Sequence, residues 1–313
     1  MKYLITGGCG FIGSHLCDAL VELGHKVRIL DDLSTGVVDF LPESAELVIG
    51  DVADPGIVKG AMQDMDGCFH LAAIASVERS NKDWCGTHKI NQQGTVNVLD
   101  AARHCNKSPV PVIYASSAAV YGDNATVPLD ESSVPRPISA YGADKLGSEL
   151  HARVAWLNHK VPTVGLRFFN VYGPRQNPAS PYSGVISIFI DRVLKGMPLN
   201  VFGNGKQTRD FIYVADVVEH LMTAMFKTKE GTSVYNVCTG QPTSIEQLAK
   251  TLAMVAGTEV EIEYKSARTG DIATSLGDPK KAQARFMLNE RINLGNGLQF
   301  TIEHLKLGYM KAV

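Results

Sequence analysis

Tyr141 and Lys145 stand four residues apart in the stretch Ser139-Ala-Tyr-Gly-Ala-Asp-Lys145, a spacing that puts both side chains on one face of a helix. A lysine ammonium beside a phenol favours the phenolate, so we expect Lys145 to lower the pKa of Tyr141 from about 10 toward neutrality. Such a phenol accepts a proton at cellular pH. Ser116 and Ser117 follow an apolar run that we predict to be a strand, and they add hydroxyls to this candidate site.

Three glycines near the start of the chain point to a second ligand of the site. Gly7, Gly10 and Gly13 lie between an apolar strand candidate, Lys2–Thr6, and a segment of helical periodicity at residues 11–23. Residues without a Cβ let backbone N–H groups approach a pyrophosphate at the N-terminus of a helix. The strand, glycine turn and helix therefore predict a dinucleotide-binding βαβ unit.

The residues around this turn also favour one dinucleotide. Phe11 and Ile12 begin the predicted helix and complete the cradle, the glycine turn and helix start that we expect to bind the pyrophosphate. Asp31 and Asp32 end the second strand of the βαβ unit. A carboxylate there accepts hydrogen bonds from a ribose 2′-OH and repels a 2′-phosphate. We therefore predict NAD rather than NADP as the cofactor.

Strand and helix patterns alternate as far as about residue 170 and predict an α/β fold with a Rossmann-type doubly wound parallel sheet. After that point the sequence is rich in turn-forming residues and in short strand patterns, which indicates a smaller C-terminal α+β domain. We predict a cofactor domain at residues 1–170 and a substrate domain at 171–313, with some later segments returning to the first domain.

Composition limits the partners and the compartment. The chain has 313 residues, 45% of them hydrophobic and 20% charged, and a net charge of −2, which argues against nucleic acid or an anionic membrane as the main partner. It contains no 18-residue apolar run and starts without a signal peptide pattern. The six cysteines follow no metal or redox spacing, and no His/Cys/Asp cluster suggests a metal. We expect a cytoplasmic protein with reduced thiols and no metal.

Taken together, these motifs resemble the extended short-chain dehydrogenases/reductases, in particular nucleotide-sugar epimerases of the UDP-glucose 4-epimerase type. The resemblance covers nearly the whole chain. Beyond the glycine turn and the Tyr-x-x-x-Lys pair it rests on Gly50-Asp51-Val52, His70-Leu-Ala-Ala73, Asn91-x-x-Gly-Thr95, Ser116-Ser-Ala-Ala-Val-Tyr-Gly122, Arg167-Phe-Phe-Asn-Val-Tyr-Gly-Pro174, Arg209-Asp-Phe-Ile-Tyr-Val214 and Arg268-Thr-Gly-Asp271.

The resemblance implies a 4-epimerisation through a transient 4-keto sugar. Tyr141 would take the proton of the sugar 4′-OH, Ser117 would hydrogen-bond the 4′-oxygen, and Lys145 would also hold the nicotinamide ribose. Further cofactor contacts implied by the resemblance are Asp51, Val52, Leu71, Ala72, Ala73, Asn91, Ser116 and Phe168. Implied substrate contacts are Ser117, Tyr141, Asn170, Val185, Phe202, Arg209, Arg268 and Asp271. The two arginines suit this role because guanidinium groups grip diphosphate oxygens bidentately.

Several residues narrow the reaction and the sugar. Related dehydratases and decarboxylases carry an acidic residue just after the active-site hydroxyl, whereas this chain has Ala118 and Ala119, which argues against elimination at C5. In the family that the chain resembles, the residue four positions after the one matching Asp271 gates the space near the sugar 2-substituent. Here that residue is the small Ser275, so the resemblance implies room for an N-acetylated hexose as well as for glucose and galactose. The segment Ser76-Val-Glu-Arg-Ser80 is similar to that of epimerases that take N-acetylated sugars.

Other interpretations stay open from the sequence. UDP-glucuronate is an alternative substrate, with Arg79 or Arg175 facing its C6 carboxylate. A nucleotide-sugar dehydrogenase or reductase with net NAD(P)H turnover is a second alternative, and a non-catalytic NAD sensor is a third, disfavoured by the intact Ser117, Tyr141 and Lys145. The family resemblance also implies a homodimer through helices predicted at residues 91–105 and 139–158.

Overall fold

A computed structural model describes residues 1–124, 126–178, 184–267, 272–288 and 290–311. The strands in these ranges are β1 (Lys2–Thr6), β2 (Lys26–Asp31), β3 (Glu46–Ile49), β4 (Gly67–His70), β5 (Val112–Ser117), β6 (Thr163–Phe168), β7 (Asn170–Tyr172), β8 (Leu199–Phe202), β9 (Thr208–Tyr213), β10 (Thr232–Val237), β11 (Pro242–Ser244) and β12 (Ile262–Lys265).

The α-helices in the same ranges are α1 (Phe11–Glu22), α2 (Pro55–Met62), α3 (Val77–Lys82), α4 (Trp84–His88), α5 (Gly94–His104), α6 (Ala140–His159), α7 (Val185–Leu194), α8 (Val214–Lys227), α9 (Ile245–Ala256), α10 (Lys280–Phe286) and α11 (Leu294–Lys311). A π-helical turn, Lys89–Gln93, joins α4 to α5, so the helix predicted at 91–105 begins with an irregular turn. The helix that carries Tyr141 begins and ends one residue later than predicted.

The main sheet is parallel throughout and confirms the predicted fold class. Its strand order within the described residues is β3-β2-β1-β4-β5-β6-β10. Six of these strands repeat the doubly wound order 3-2-1-4-5-6, which leaves the ligand crevice beside the carboxyl ends of β1 and β4. The seventh strand, β10, pairs with β6 although about 60 residues separate them in the chain.

Apolar side chains on both faces of the sheet explain its burial. Leu4 and Leu30 point to the face covered by α2, α5 and α6, and Ile5 and Ile29 point to the face covered by α1 and α8. Such two-sided burial is typical of parallel sheets between helical layers. The helix α8, like the strand β10, comes from the C-terminal half of the chain, but it packs on the main sheet beside α1.

The smaller α+β region stands on β7, β8, β9, β11 and β12. The strand β9 pairs parallel with β7 and antiparallel with β11, and β8 pairs parallel with β12. Helices α7, α9 and α11 pack their apolar faces on these strands, as Ile190, Leu252 and Leu298 illustrate. Because β7 directly follows β6, the small region is connected to the sheet at its carboxyl edge.

In the described part of the chain, every helix is too short or too polar to cross a bilayer.

Candidate active site

Ser117, Tyr141 and Lys145 come together where β5 ends and α6 begins. Ser139 caps α6, since its Oγ accepts a hydrogen bond from Gly142 N (3.1 Å), and this fixes the first turn. Lys145 is buried, its Nζ donates to Ala115 O (2.8 Å), and the same atom lies 5.8 Å from the centre of the Tyr141 ring. Ser117 lies close enough to the Tyr141 phenol for its hydroxyl to lower the pKa of that phenol. The fold therefore assembles the three residues predicted to be catalytic.

The direction of the Tyr141 pKa corrects the sequence interpretation. Burial raises the pKa of Tyr141 above its ordinary value, and the hydrogen bond from Ser117 offsets this only in part. Burial also lowers the pKa of Lys145 to about 8, against the opposing effect of Asp144. The Lys145 ammonium sits over the ring and is hydrogen-bonded to a carbonyl, and desolvation of the phenol decides the direction of the Tyr141 pKa. The expectation that Lys145 lowers the Tyr141 pKa toward neutrality is therefore wrong.

The backbone of Tyr141 is held by a residue that the sequence interpretation did not assign to catalysis. Ser80 is buried, and its Oγ accepts from Tyr141 N (3.2 Å) and donates to Val77 O (2.8 Å). The start of α6 is thus fixed from two sides, by its own cap and by α3. The motif Ser76-Val-Glu-Arg-Ser80 was the available signal, but it was interpreted only in terms of the substrate.

The glycine turn forms the cradle that the spacing predicted. Gly7 has φ +72°, and a Cβ there would lie 2.7 Å from Ala72 N, so the backbone after β4 lies directly against the turn. A Cβ on Gly13 would collide with Gly7 O. Gly10 is the N-cap of α1, and among the described residues no side chain caps the first turn at Phe11, Ile12 and Gly13, and no acidic residue lies in it. These free N–H groups suit a pyrophosphate.

The two aspartates at the end of β2 behave differently. Asp31 is buried, its Oδ2 accepts from Cys9 N (2.9 Å) in the glycine turn, and its Oδ1 accepts from Leu33 N (2.9 Å). Burial raises its pKa, although both hydrogen bonds work in the opposite direction. Asp32 is exposed and accepts from Ser34 N and Ser34 Oγ. Asp31 is therefore the carboxylate at the turn, while Asp32 shapes the following loop.

The other predicted cofactor residues follow strand ends or line the same edge. Asp51 Oδ1 accepts from Ala53 N (2.8 Å), and the Val52 carbonyl accepts from Asn97 Nδ2 (3.1 Å). Leu71, Ala72 and Ala73 directly follow β4, and Phe168 ends β6 in register with Ser117.

Two further predicted cofactor residues, Asn91 and Ser116, also have side chains that are hydrogen-bonded within the protein. Asn91 lies buried in the π-helical turn, where its Oδ1 accepts from Ile74 N (2.7 Å) and its Nδ2 donates to Ile74 O (3.2 Å). Ser116 Oγ donates to Glu149 Oε1 (2.5 Å). Both side chains hold the segments that carry the site, at Ile74 and at the end of β5.

The carboxylate that accepts the Ser116 hydrogen bond belongs to a buried ion pair that the sequence analysis does not predict. Glu149 and Arg167 are joined by two parallel hydrogen bonds, Nε–Oε1 (2.8 Å) and Nη2–Oε2 (2.7 Å), and Arg167 Nη1 also donates to the Tyr121 hydroxyl (2.9 Å). Glu149 lies one helical turn after Lys145 on α6. A charged residue at that core-facing spacing was the signal that could have revealed the pair.

Four of the predicted substrate residues lie in the smaller region. Asn170 begins β7, Val185 begins α7 and Phe202 ends β8. Arg209 lies on β9, and its Nη1 donates to Thr208 O (2.8 Å) and Ile272 O (2.7 Å). Ser275 N donates to Thr208 O (3.1 Å), which brings the proposed gate position beside Arg209. Arg268 and Asp271 lie outside the described residues.

A parallel sheet with a glycine turn, a buried aspartate that holds this turn and a Ser–Tyr–Lys set at its carboxyl edge is the arrangement of the extended short-chain dehydrogenases/reductases. Residues 3–238 match the model of the NAD dependent epimerase/dehydratase family. The chain belongs to that family.

Relatives match the chain over almost its full length. A putative UDP-glucose 4-epimerase of Methanocaldococcus jannaschii is 35% identical and covers 97% of this chain and 98% of its own length. The structure of a UDP-glucose 4-epimerase of Thermotoga maritima with UDP-glucose is 34% identical, with a TM-score of 0.94 over 99% of this chain and 100% of the other. A Methanobrevibacter ruminantium UDP-N-acetylglucosamine 4-epimerase, solved with UDP-N-acetylmuramic acid, is 32% identical, with a TM-score of 0.93 over 98% of each chain.

Relatives with other activities on UDP-sugars also match. One is a Bacillus cytotoxicus UDP-N-acetyl-alpha-D-glucosaminuronate decarboxylase, 34% identical over 84% of this chain and 83% of its own length. Another is a Bacillus cereus UDP-glucuronic acid 4-epimerase, solved with UDP-glucuronic acid and NAD, 30% identical over 99% and 100% of the chains, with a TM-score of 0.89. The cofactor of the family is NAD, and the glycine turn and Asp31 of this chain fit it.

Proposed function

We propose that the protein interconverts UDP-hexoses at C4, with UDP-glucose and UDP-galactose or their N-acetylated forms as substrates. The observation that carries this proposal is the assembly of Ser117, Tyr141 and Lys145 at the same carboxyl edge of the sheet as the glycine turn, with Ala118 and Ala119 following Ser117. A second base at the position after Ser117 would be needed for elimination at C5, and alanine cannot serve as one.

In this mechanism Tyr141 removes the proton of the sugar 4′-OH and later returns it. Ser117 holds the 4′-oxygen and donates to the phenolate form of Tyr141, which is why its hydrogen bond favours that form. When bound, NAD⁺ would accept the hydride from C4′ and would give the same hydride back to the opposite face of the sugar. Lys145, held by Ala115 O, keeps its ammonium close to the ring and to the ribose side of the crevice.

The smaller region supports a UDP-sugar as the ligand. Arg209 brings a guanidinium to β9, and Asn170 lies on the neighbouring strand β7 in register with Phe211. Ser275 is small and adjacent to Thr208, so the position leaves room for a sugar 2-substituent. We therefore extend the proposal to N-acetylated hexoses, in line with the relative named for UDP-N-acetylglucosamine.

UDP-glucuronate is the second candidate, and only one of its two predicted arginines suits it. Arg175 is ion-paired with Asp18 (2.7 Å) and stacked on Phe40 (5.2 Å), contacts that direct it toward α1 and away from a sugar C6 carboxylate. Arg79 is half-buried and directly precedes Ser80, whose hydroxyl contacts Tyr141 N. A C6 carboxylate close to the reacting C4 would then be recognised by Arg79.

Product analysis of purified protein, without added NAD, tests this function. UDP-glucose, UDP-N-acetylglucosamine and UDP-glucuronate are incubated separately and the C4 epimers are followed by NMR. Conversion without added cofactor supports epimerisation, because the hydride returns in each turnover. Formation of NADH in proportion to a keto product, once NAD⁺ is supplied, would instead favour the dehydrogenase alternative. Arg79→Gln should impair only the glucuronate reaction if that sugar is the substrate.

A homodimer and a cytoplasmic location belong to the same proposal. The exposed face of α6 carries Leu150, Val154 and Leu157 at helical spacing, and Trp84 on α4 is 67% exposed. This apolar stripe on α6, one of the two helices that the family resemblance implicates, supports pairing through α5 and α6. All six cysteines are free thiols, which is typical of a reducing compartment. Light scattering of purified protein tests the dimer, and Leu150→Glu should yield monomers.

A further inference from the structure

Arg175 joins three separate segments beside the cofactor crevice. The residue lies in the segment after β7, and its Nη2 pairs with Asp18 Oδ2 on α1 (2.7 Å). Its guanidinium carbon lies 5.2 Å from the centre of the Phe40 ring, a stacked cation–π arrangement. The preceding Pro174 O accepts from His15 Nε2 (3.0 Å), also on α1. One side chain thus connects α1, the loop after β2 and the entry to the smaller region.

Phe40 ends the loop that lies against the glycine turn. Within that loop Val37 N donates to Cys9 O (2.9 Å), and Leu33 N donates to Asp31 Oδ1 (2.9 Å). A Cβ on Gly36 would lie 2.6 Å from the Cβ of Cys9, so the loop touches the turn closely. The loop at 33–40 therefore borders both the pyrophosphate cradle and the ribose carboxylate.

The backbone of Arg175 supports a role for its side chain. Its φ is +66°, in the left-handed region that residues with a Cβ adopt at a cost. Such a conformation persists where the surroundings hold it, here through the ion pair, the stacked ring and the Pro174 hydrogen bond. The guanidinium is largely covered, with 19% of the side chain exposed.

We propose that Arg175 is a retention clasp for NAD: it holds the loop at 33–40 against the glycine turn and thereby slows release of the cofactor. Release requires the loop to separate from the turn and from Asp31, and the Phe40–Arg175–Asp18 contacts oppose that separation. The inference depends on NAD binding and not on which sugar is used.

The test measures release of the cofactor directly. Protein loaded with NADH is mixed with excess NAD⁺, and the loss of bound-NADH fluorescence gives the release rate. Arg175→Asn keeps a residue that tolerates the left-handed backbone but removes the guanidinium. We expect its release rate to rise about tenfold, the size of a partly buried ion pair and a cation–π contact together. Arg175→Lys, which keeps a cation for Asp18, should fall between the two.

Arg28→Gln is the matched control. Arg28 also pairs with a carboxylate, that of Glu46, and its side chain is similarly covered, but it lies within β2 and outside the loop at 33–40. Its release rate should equal that of the wild type. Phe40→Leu and Asp18→Asn test the two arms of the clasp independently of the Arg175 backbone, and each should speed release. The proposal is overturned if Arg175→Asn folds and releases NADH at the wild-type rate. It is equally overturned if Arg28→Gln speeds release as much, or if both arm variants leave the rate unchanged.

Discussion

Removing one partner of the Glu149–Arg167 pair should destabilise the protein strongly. The two side chains are 8% and 4% exposed, and two parallel hydrogen bonds join them. Glu149→Gln would leave the Arg167 charge buried without a compensating anion, and Arg167→Met would leave the Glu149 carboxylate in that state. Breaking a buried pair in this way costs about 3–5 kcal/mol of unfolding free energy. At about 2 °C per kcal/mol in a chain of this size, the Tm should fall by roughly 6–10 °C.

The double variant Glu149→Leu with Arg167→Met separates the net value of the pair from the cost of an isolated charge. Replacing both ions by apolar side chains is often close to neutral, so the double variant should be more stable than either single variant. It should stay below the wild type by about 1 kcal/mol for each of the Ser116 and Tyr121 hydroxyls that lose a partner.

Urea unfolding of all four proteins, saturated with NAD, measures these differences. Glu46→Gln is the control, since it removes an exposed partner of Arg28 and should cost no more than about 1 kcal/mol. The reasoning fails if either single variant loses less than the control. It also fails if the double variant loses the sum of the two single losses, because the two charges would then be independent.

Three further changes test the site itself. Tyr141→Phe should keep the fold and bound NAD but lose nearly all turnover, as measured by conversion of the UDP-sugar. Asp31→Ala should reduce the NAD content of the purified protein, because the carboxylate also holds Cys9 N and Leu33 N at the turn. Lys145→Met should abolish turnover yet raise the Tm near pH 7. Burial lowers the pKa of Lys145 from 10.5 in the unfolded chain to about 8 in the folded protein. Between pH 8 and pH 10.5 the unfolded chain therefore binds more protons at Lys145 than the folded protein does. The stability of the wild type consequently rises with pH across this range. The amount by which the Tm of Lys145→Met exceeds that of the wild type should therefore decrease as the pH rises from 8 toward 10.5.

Each of these expectations has a result that contradicts it. Normal turnover of Tyr141→Phe would contradict the assignment of Tyr141 as the base. Tyr3→Phe is the control, because it removes a phenol hydroxyl far in sequence from the motif and should keep turnover. Unchanged cofactor content of Asp31→Ala, measured by absorbance after denaturation, would reject its ribose role, with Asp32→Ala as the control. A Tm difference for Lys145→Met that widens with pH would show that burial does not depress the lysine pKa.

The features that local sequence predicts are those set by short-range geometry. The glycine spacing gives a turn that no Cβ could enter at Gly7 or Gly13, and the four-residue spacing of Tyr141 and Lys145 fixes a shared helical face. Alternation of strands and helices predicts the parallel sheet for the same reason, since each unit forms locally. Ser139 is a helix cap recognisable from its residue type alone.

The features that escaped prediction depend on contacts between distant parts of the chain. The pKa of Tyr141 is decided by how completely the fold removes water from the phenol, and spacing carries no such information. The pairing of Glu149 with Arg167 joins a helix to a strand, and β10 reaches the sheet across an intervening α+β region. The clasp at Arg175 needs three segments that are far apart in sequence, so a loop arginine there could equally be assigned to a substrate.

The most direct test of the account is the fate of the C4 hydrogen in a reaction without added NAD. UDP-glucose deuterated at C4 is incubated with the purified protein, and the product is analysed by NMR and mass spectrometry. The account predicts UDP-galactose that keeps the deuterium at C4, because the same hydride leaves and returns within one site. UDP-galactose that has lost the deuterium from C4, or accumulation of a keto sugar in place of UDP-galactose, would contradict it.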